Sequence, residues 1–267
     1  MRAFRDQRFA VWRCSGCRSI HARDEVDLAS YYAAYPMHGE GGGAAMRAFF
    51  GVQRRRLRAA GLANGATVLD YGCGAGAFVR YLEGARVTAT GYDAFAPAYA
   101  DRGALARSYD AVVVQDVIEH VDDPSALLAE LDGLVRPGGL VLIGTPDADA
   151  IDLRRVARFT HALHAPYHRH ILARGELVRR GESLGWSLVR LYRSHYANTA
   201  RPFLNARFVH HYLRTRDNTL DAALDPPRIG VRLLLDPRTY VFGLFGALAP
   251  PREDVCAVFQ KPAAEVR

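Results

Sequence analysis

The run Asp70-Tyr71-Gly72-Cys73-Gly74-Ala75-Gly76 constrains this chain more than any other stretch. It follows a short apolar segment, Thr67 to Tyr71, and precedes a helical pattern that begins near Phe78. Glycines at alternate positions weaken both strands and helices. They belong where backbone turns through left-handed conformations and lies close to a bound group at a helix N-terminus. A second acid, Asp93, closes the next strand, Arg86 to Tyr92. A carboxylate there suits two vicinal ribose hydroxyls. A pyrophosphate-binding turn would want G-x-G-x-x-G, and this one is G-x-G-x-G, which argues against a nicotinamide oxidoreductase.

The surrounding pattern extends the same architecture. Ala111 to Val114 is continuously apolar, as strands buried on both faces are. Asp122-Asp123-Pro124 opens a helix with a side-chain cap and an early proline, and Arg136-Pro137-Gly138-Gly139 ends it. Leu140 to Gly144 reads as a strand, Arg174 to Leu184 as a helix, and Trp186 to Tyr192 and Asp254 to Gln260 as the last two strands. Strands alternating with helices give an α/β, doubly wound, Rossmann-like sheet. Before it, residues 44–60 have helical spacing, with Met46, Phe49, Phe50 and Leu57 on related faces and the arginines opposite. Three regions follow: an N-terminal extension 1–43 that ends in a glycine cluster, a core 44–193 resumed at 254–267, and an insertion 194–253 rich in aromatics and arginine.

Charge and cysteine usage exclude several classes. The chain has 35 basic and 28 acidic residues, a net charge of +7. Lys261 is the sole lysine, and the arginines are spread along the chain with no nucleic-acid recognition module beside them, so no nucleic-acid partner is expected. No apolar run reaches the roughly 18–20 residues of a membrane span. Met1 to Ala10 lacks the apolar core of a secretory signal, so the cytoplasm is the expected compartment. Cys14, Cys17, Cys73 and Cys256 do not make a disulfide framework.

Four segments, in order over residues 66–146, carry a resemblance: Val68 to Gly76, Gly91-Tyr92-Asp93, Tyr109 to Val121, and Leu134 to Gly139. With them the chain resembles the class I S-adenosylmethionine-dependent methyltransferases. The resemblance implies a seven-stranded sheet with an antiparallel last strand, and S-adenosyl-L-methionine as cofactor. It implies that Asp70, Tyr71, Gly72, Gly74 and Gly76 hold the amino-acid part of the cofactor and Asp93 its ribose, with Ala94 beside it. Gln115, Asp116 and Val117 would line the pocket. One departure stands out. Only 16 residues separate Asp93 from Asp110, where the family has a helix, a third strand and an acidic adenine-contacting loop. The third strand is therefore expected to be reduced, with Tyr92, Ala94 and Phe95 offering stacking surface to the adenine.

Asp116, Glu119 and His120 are spaced i, i+3, i+4 and would share one face of a helix. The segment is similar to the ubiquinone-type O-methyltransferases, where such a triplet can hold a divalent cation. The favoured reading assigns no metal ligand: His120 packs beneath the cofactor and Glu119 pairs locally. Four histidines fall between 161 and 170, after the fifth strand of the family and so near the cofactor's methyl group. Neutral imidazole suits a general base, and His168 and His170, with His120, are the catalytic candidates. The function these residues imply is methyl transfer to a small, partly apolar acceptor, oxygen favoured over carbon or nitrogen, with 194–253 as the substrate lid. A non-catalytic scaffold on the same fold is the alternative, and the oligomeric state is open. Cys14-Ser15-Gly16-Cys17 resembles the second half of an N-terminal zinc knuckle found in some small-molecule methyltransferases. The first pair is absent and His21 or His38 would have to complete it, so a degenerate, metal-free knuckle is expected.

Overall fold

The computed structural model describes residues 6–24, 26–27, 31, 44–193, 198–219 and 221–264. A hairpin of β1 (Val11–Arg13) and β2 (Ile20–Ala22) comes first, then α1 (Ala44–Ala59). The core runs β3 (Thr67–Tyr71), α2 (Ala77–Gly84), β4 (Thr88–Tyr92), β5 (Tyr109–Gln115), α3 (Pro124–Leu134) and β6 (Val135–Pro146). It continues with α4 (Thr160–Leu163), β7 (His170–Ile171), α5 (Arg174–Ser183) and β8 (Ser187–Tyr192). Helices α6 (Ala206–Thr215), α7 (Asp221–Leu224), α8 (Val231–Leu235) and α9 (Pro237–Phe245) separate β8 from the last strand, β9 (Asp254–Gln260).

The main sheet has six strands in the order β4-β3-β5-β6-β9-β8. β4, β3, β5 and β6 are parallel, and β9 is antiparallel to both β6 and β8. The antiparallel last strand is as expected. No seventh strand joins the sheet among the described residues. Between β4 and β5 lie two 3-10 turns, Pro97–Tyr99 and Arg102–Leu105, and β4 forms the edge. The physical reason is length. A parallel crossover needs a dozen or more residues before its strand can begin, and the whole segment has 16. Arg107 Nη2, donating to Thr90 Oγ1 at 2.9 Å, lies along this edge and places a charge where strand-on-strand pairing would otherwise start.

Alternate residues of the central strand β5 serve two cores, as the pleat requires. Val112 and Val114 pack with Leu127, Leu128 and Leu131 of α3, with Trp186 and with Phe259. Ala111 and Val113 pack with Leu57 of α1 and with Phe78 and Leu82 of α2. Asp123 caps α3 by accepting from the backbone N–H groups of Ser125 and Ala126, and Pro124 fills its first turn. The arginines of α1 do not all face solvent. Arg56 is buried beside Leu57, its guanidinium 4.7 Å from the centre of the Tyr192 ring.

A second, three-stranded sheet joins β1, β2 and β7. Ala173 N donates to Ser19 Oγ, and Arg13 Nη2 to the Ile151 carbonyl. These bonds tie the cysteine hairpin to the segment between β6 and α5. The glycine cluster 39–43 and His38 lie outside the described residues.

Candidate cofactor and acceptor site

The glycine turn is a backbone device closed by one side chain. Gly72, Gly74 and Gly76 take φ values of 79°, 53° and 75°. At two of them there is also no room for a side chain. A Cβ on Gly72 would sit 2.2 Å from Val117 Cγ2, and one on Gly76 2.0 Å from Tyr99 Oη. Asp93 ties the turn to the loop after β4. Its Oδ2 accepts from Gly74 N at 2.8 Å, and its Oδ1 accepts from Phe95 N at 2.8 Å and Ala96 N at 3.1 Å. Oδ2 has a second lone pair left for a hydroxyl. Ala94 and Phe95 are exposed at the open side of this loop. Asp70 is buried at the end of β3, and burial, with the charge of Asp93, pushes its carboxyl up to about 7. Tyr71 points its hydroxyl away, donating to Glu130 Oε2 on α3 at 2.8 Å.

The next strand end carries Gln115, Asp116 and Val117. Asp116 has φ 54°, so the chain leaves β5 through a left-handed residue and makes a turn. The helix on which Asp116, Glu119 and His120 would share a face does not form. Asp116 is exposed, whereas Glu119 is fully buried. Gln115 donates through Nε2 to Asp116 Oδ1 at 2.8 Å, and its Oε1 accepts from Gln53 Nε2 of α1.

Beneath this turn the chain assembles Glu119, His120 and His168. One ligand-type atom from each lies within 4.8 Å of the others. Thr145 Oγ1 donates to Glu119 Oε2 at 3.0 Å. Glu119 Oε1 is buried with no hydrogen-bond partner, 3.9 Å from His168 Nε2. The other ring nitrogen of His168 faces the Ala162 carbonyl at 2.7 Å, which puts the proton on Nδ1 and leaves Nε2 a lone pair. Burial holds His168 down to about 4. It also holds His120 well below its ordinary value, the charges of His168 and His164 adding to the effect. Glu119 is raised, by burial first and then by Asp116. Burial thus favours the neutral form of all three groups.

Residues 46–191 match a family described as a methyltransferase domain. The chain belongs to the class I S-adenosylmethionine-dependent methyltransferases. It is 32% identical over 106 residues to the ubiquinone biosynthesis O-methyltransferase of Aeromonas salmonicida (strain A449), a match covering 36% of this chain and 42% of that protein. The same enzyme of Sodalis glossinidius (strain morsitans) is 29% identical over 149 residues, 46% of this chain and 58% of that one. The chain thus matches about half the length of these curated relatives. In fold it is similar to the crystal structure of 1,6-didemethyltoxoflavin-N1-methyltransferase from Burkholderia thailandensis, bound there to 1,6-didemethyltoxoflavin and S-adenosylhomocysteine. That likeness has a TM-score of 0.50 at 13% identity, and covers 94% of this chain and 98% of the other.

In this methyltransferase the expected site residues separate into groups. Asp70, Gly72, Gly74, Gly76 and Asp93 gather at the carboxyl ends of β3 and β4, with Val117 packed against Gly72. His120 and His168 meet beneath β5, their ring centres 4.7 Å apart. His170 does not join them. Its Nε2 faces the Asp122 carbonyl and its Nδ1 faces Nδ1 of His21, both at 2.9 Å, within the three-stranded sheet. Cys14 and Cys17 are free thiols in the β1–β2 turn. Cys14 is lowered from its ordinary value by the backbone N–H groups of Cys17 and Gly16. Glu119, His120 and His168 make the one cluster of three or more metal-ligand side chains among the described residues. An orphaned carboxyl oxygen facing an imidazole lone pair fits a divalent cation. Sequence reading missed Gln53, Arg56 and Asp254. Asp254 opens β9, and burial with the charges of Glu253 and Asp147 raises it to about 7 while Arg56 lowers it.

Proposed function

We propose that this chain transfers the methyl group of S-adenosylmethionine to a hydroxyl of a small, partly apolar acceptor, leaving S-adenosylhomocysteine. The observation that carries the reading is the left-handed glycine turn braced by Asp93 at the carboxyl edge of a parallel sheet. That is where open α/β sheets hold their ligands. Asp93 would receive the ribose hydroxyls, and buried Asp70 would face the cationic end of the cofactor. Ala94 and Phe95 would offer the adenine a surface in place of the absent strand.

The sulfonium already activates the methyl carbon, so the residues need mainly to align the acceptor, exclude water and manage one proton. Gln53 and Gln115 are hydrogen-bonded across α1 and β5 and would orient a polar group of the acceptor. His168 Nε2 would receive the hydroxyl proton as the oxygen attacks. Glu119 Oε1, 3.9 Å from that nitrogen, would lie beside the imidazolium as it forms. Where a divalent cation is bound, Glu119, His120 and His168 would hold it, and its charge would make the acceptor hydroxyl more acidic. The helices of 198–253 would cover the acceptor.

The test is calorimetric titration with S-adenosylmethionine and S-adenosylhomocysteine. Wild type should bind both. Asp93→Ala, which removes one charge-assisted bond to the turn and two to the loop after β4, should lose at least about tenfold in affinity. A folded wild-type protein that binds neither molecule refutes the proposal. One that binds both, yet transfers no methyl group to catechol, quinol or sugar hydroxyls, argues for a scaffold on the same fold.

A further inference from the structure

Exposed apolar side chains are concentrated in one short stretch. Fifteen large apolar residues stand exposed among the described residues, and nine of them fall between positions 229 and 248. Helix α9 is apolar on two sides. Its inner side places Gly243 against Phe203 and Asn205. Its outer side carries Tyr240, Val241, Leu244 and Phe245, and Leu248 continues the surface at 83% exposure. At about 100° per residue these positions fill one continuous arc of about 140°. Just before α9, Ile229, Val231 and Leu235 extend the same exposed stretch, Leu235 at 77% exposure. A surface of this kind facing water marks a place where something else binds.

Charge says what. Residues 226–252 hold four exposed arginines, Arg228, Arg232, Arg238 and Arg252, and one acid, Asp236. None of the four makes an ion pair among the described residues. The carboxylate of Asp236 is engaged already. It caps α9 by accepting from Arg238 N at 2.9 Å and lies 3.6 Å from His211 Nε2. The apolar stretch therefore carries unpaired positive charge.

We infer that this face lies on an anionic lipid surface, with α8 and α9 in the plane of the interface. The leucines and Phe245 enter the acyl boundary and the arginines meet headgroup phosphates. A second copy of the chain fits less well. A two-fold contact would set the arginines against themselves with no free acid opposite. No helix among the described residues is long and apolar enough to cross a membrane, so the contact is interfacial. The inference is independent of the methyl-transfer reading.

The test is cosedimentation of the full chain with phosphatidylcholine vesicles, with and without phosphatidylglycerol, at low and high salt. Wild type should bind the anionic vesicles, and salt should weaken the binding. Leu235→Glu with Phe245→Glu should reduce it at least about tenfold, and Arg232→Glu with Arg238→Glu should abolish the preference for phosphatidylglycerol. Calorimetry with S-adenosylhomocysteine, together with thermal melting, identifies variants that still fold; Leu248→Glu replaces either pair that does not. Absence of vesicle binding by folded wild type overturns the inference. So does binding that survives the glutamate variants, or sedimentation velocity showing a dimer that these variants dissolve.

Discussion

The two ends of the site are built on different principles. At β3 and β4 the chain shapes a surface from backbone: three left-handed glycines and a carboxylate whose bonds all run to main-chain N–H groups. At the end of β5 it builds from ionisable side chains, buried Glu119 and His168 with half-buried His120, drawn from positions almost fifty residues apart. The first design depends on shape and has no room for an added atom at Gly72 or Gly76. The second depends on protonation and tolerates substitutions that keep charge low.

The largest expected effect breaks the first design alone. Gly72→Ala puts a methyl group into Val117 at a φ of 79°. Left-handed strain and overpacking together should cost about 2–5 kcal/mol, read as a lowered melting temperature. Cofactor affinity should fall by about a hundredfold in calorimetry. An alanine variant that binds normally would mean that the turn does not touch the cofactor.

The second design should show itself in acid. His168 sits near 4 in the folded chain against 6.5 for the free group. The unfolded chain therefore takes up the proton first. The stability linked to this histidine is full above pH 6.5 and is lost as the pH falls toward 4. It amounts to at most about 3 kcal/mol. Denaturation midpoints across that range should fall in wild type and stay flatter in His168→Gln.

Asp70 gives the opposite sign, and its smaller effect is read in cofactor affinity. Its carboxyl titrates near 7 instead of 3.8, so its contribution to stability is present at low pH and is lost as the pH rises through 7. A cationic cofactor prefers the ionised form. S-adenosylmethionine affinity should therefore rise by up to about tenfold from pH 6 to pH 8, and Asp70→Asn should remove that dependence. The smallest effect sharpens the comparison most. Glu119→Gln keeps an acceptor for Thr145 and adds no charge, so stability at pH 7 should stay within about 1 kcal/mol of wild type. A loss of about 3–5 kcal/mol would show instead that an ionised Glu119 is paired in the folded chain.

The sequence reveals the first region far better than the second, for a physical reason. Glycine spacing and strand-end acids are local constraints on backbone, and they can be read without knowing what packs above them. The missing third strand is legible in the same way, because 16 residues cannot hold a crossover and a strand. Asp116, Glu119 and His120 mislead because i, i+3, i+4 spacing implies a shared face only on a helix, and a left-handed Asp116 prevents one. The partner that His120 does find, His168, arrives from beyond β6 and leaves no local signal. Arg56 was hidden by its company. In a run of arginines it reads as solvated, yet Gln53, Arg56 and Leu57 share the inward stripe of α1 at i, i+3 and i+4, so the periodicity contained the answer.

Strands β8 and β9 are antiparallel neighbours, with Tyr192 paired to Cys256. Everything between them hangs from what is topologically a single hairpin connection. Closing a longer loop costs only about 0.6 kcal/mol per doubling of its length. The sheet is therefore indifferent to what is mounted there. A lineage, or an engineer, can exchange the helices of 198–253 for another set and change what the molecule meets, while the half that carries the glycine turn folds as before.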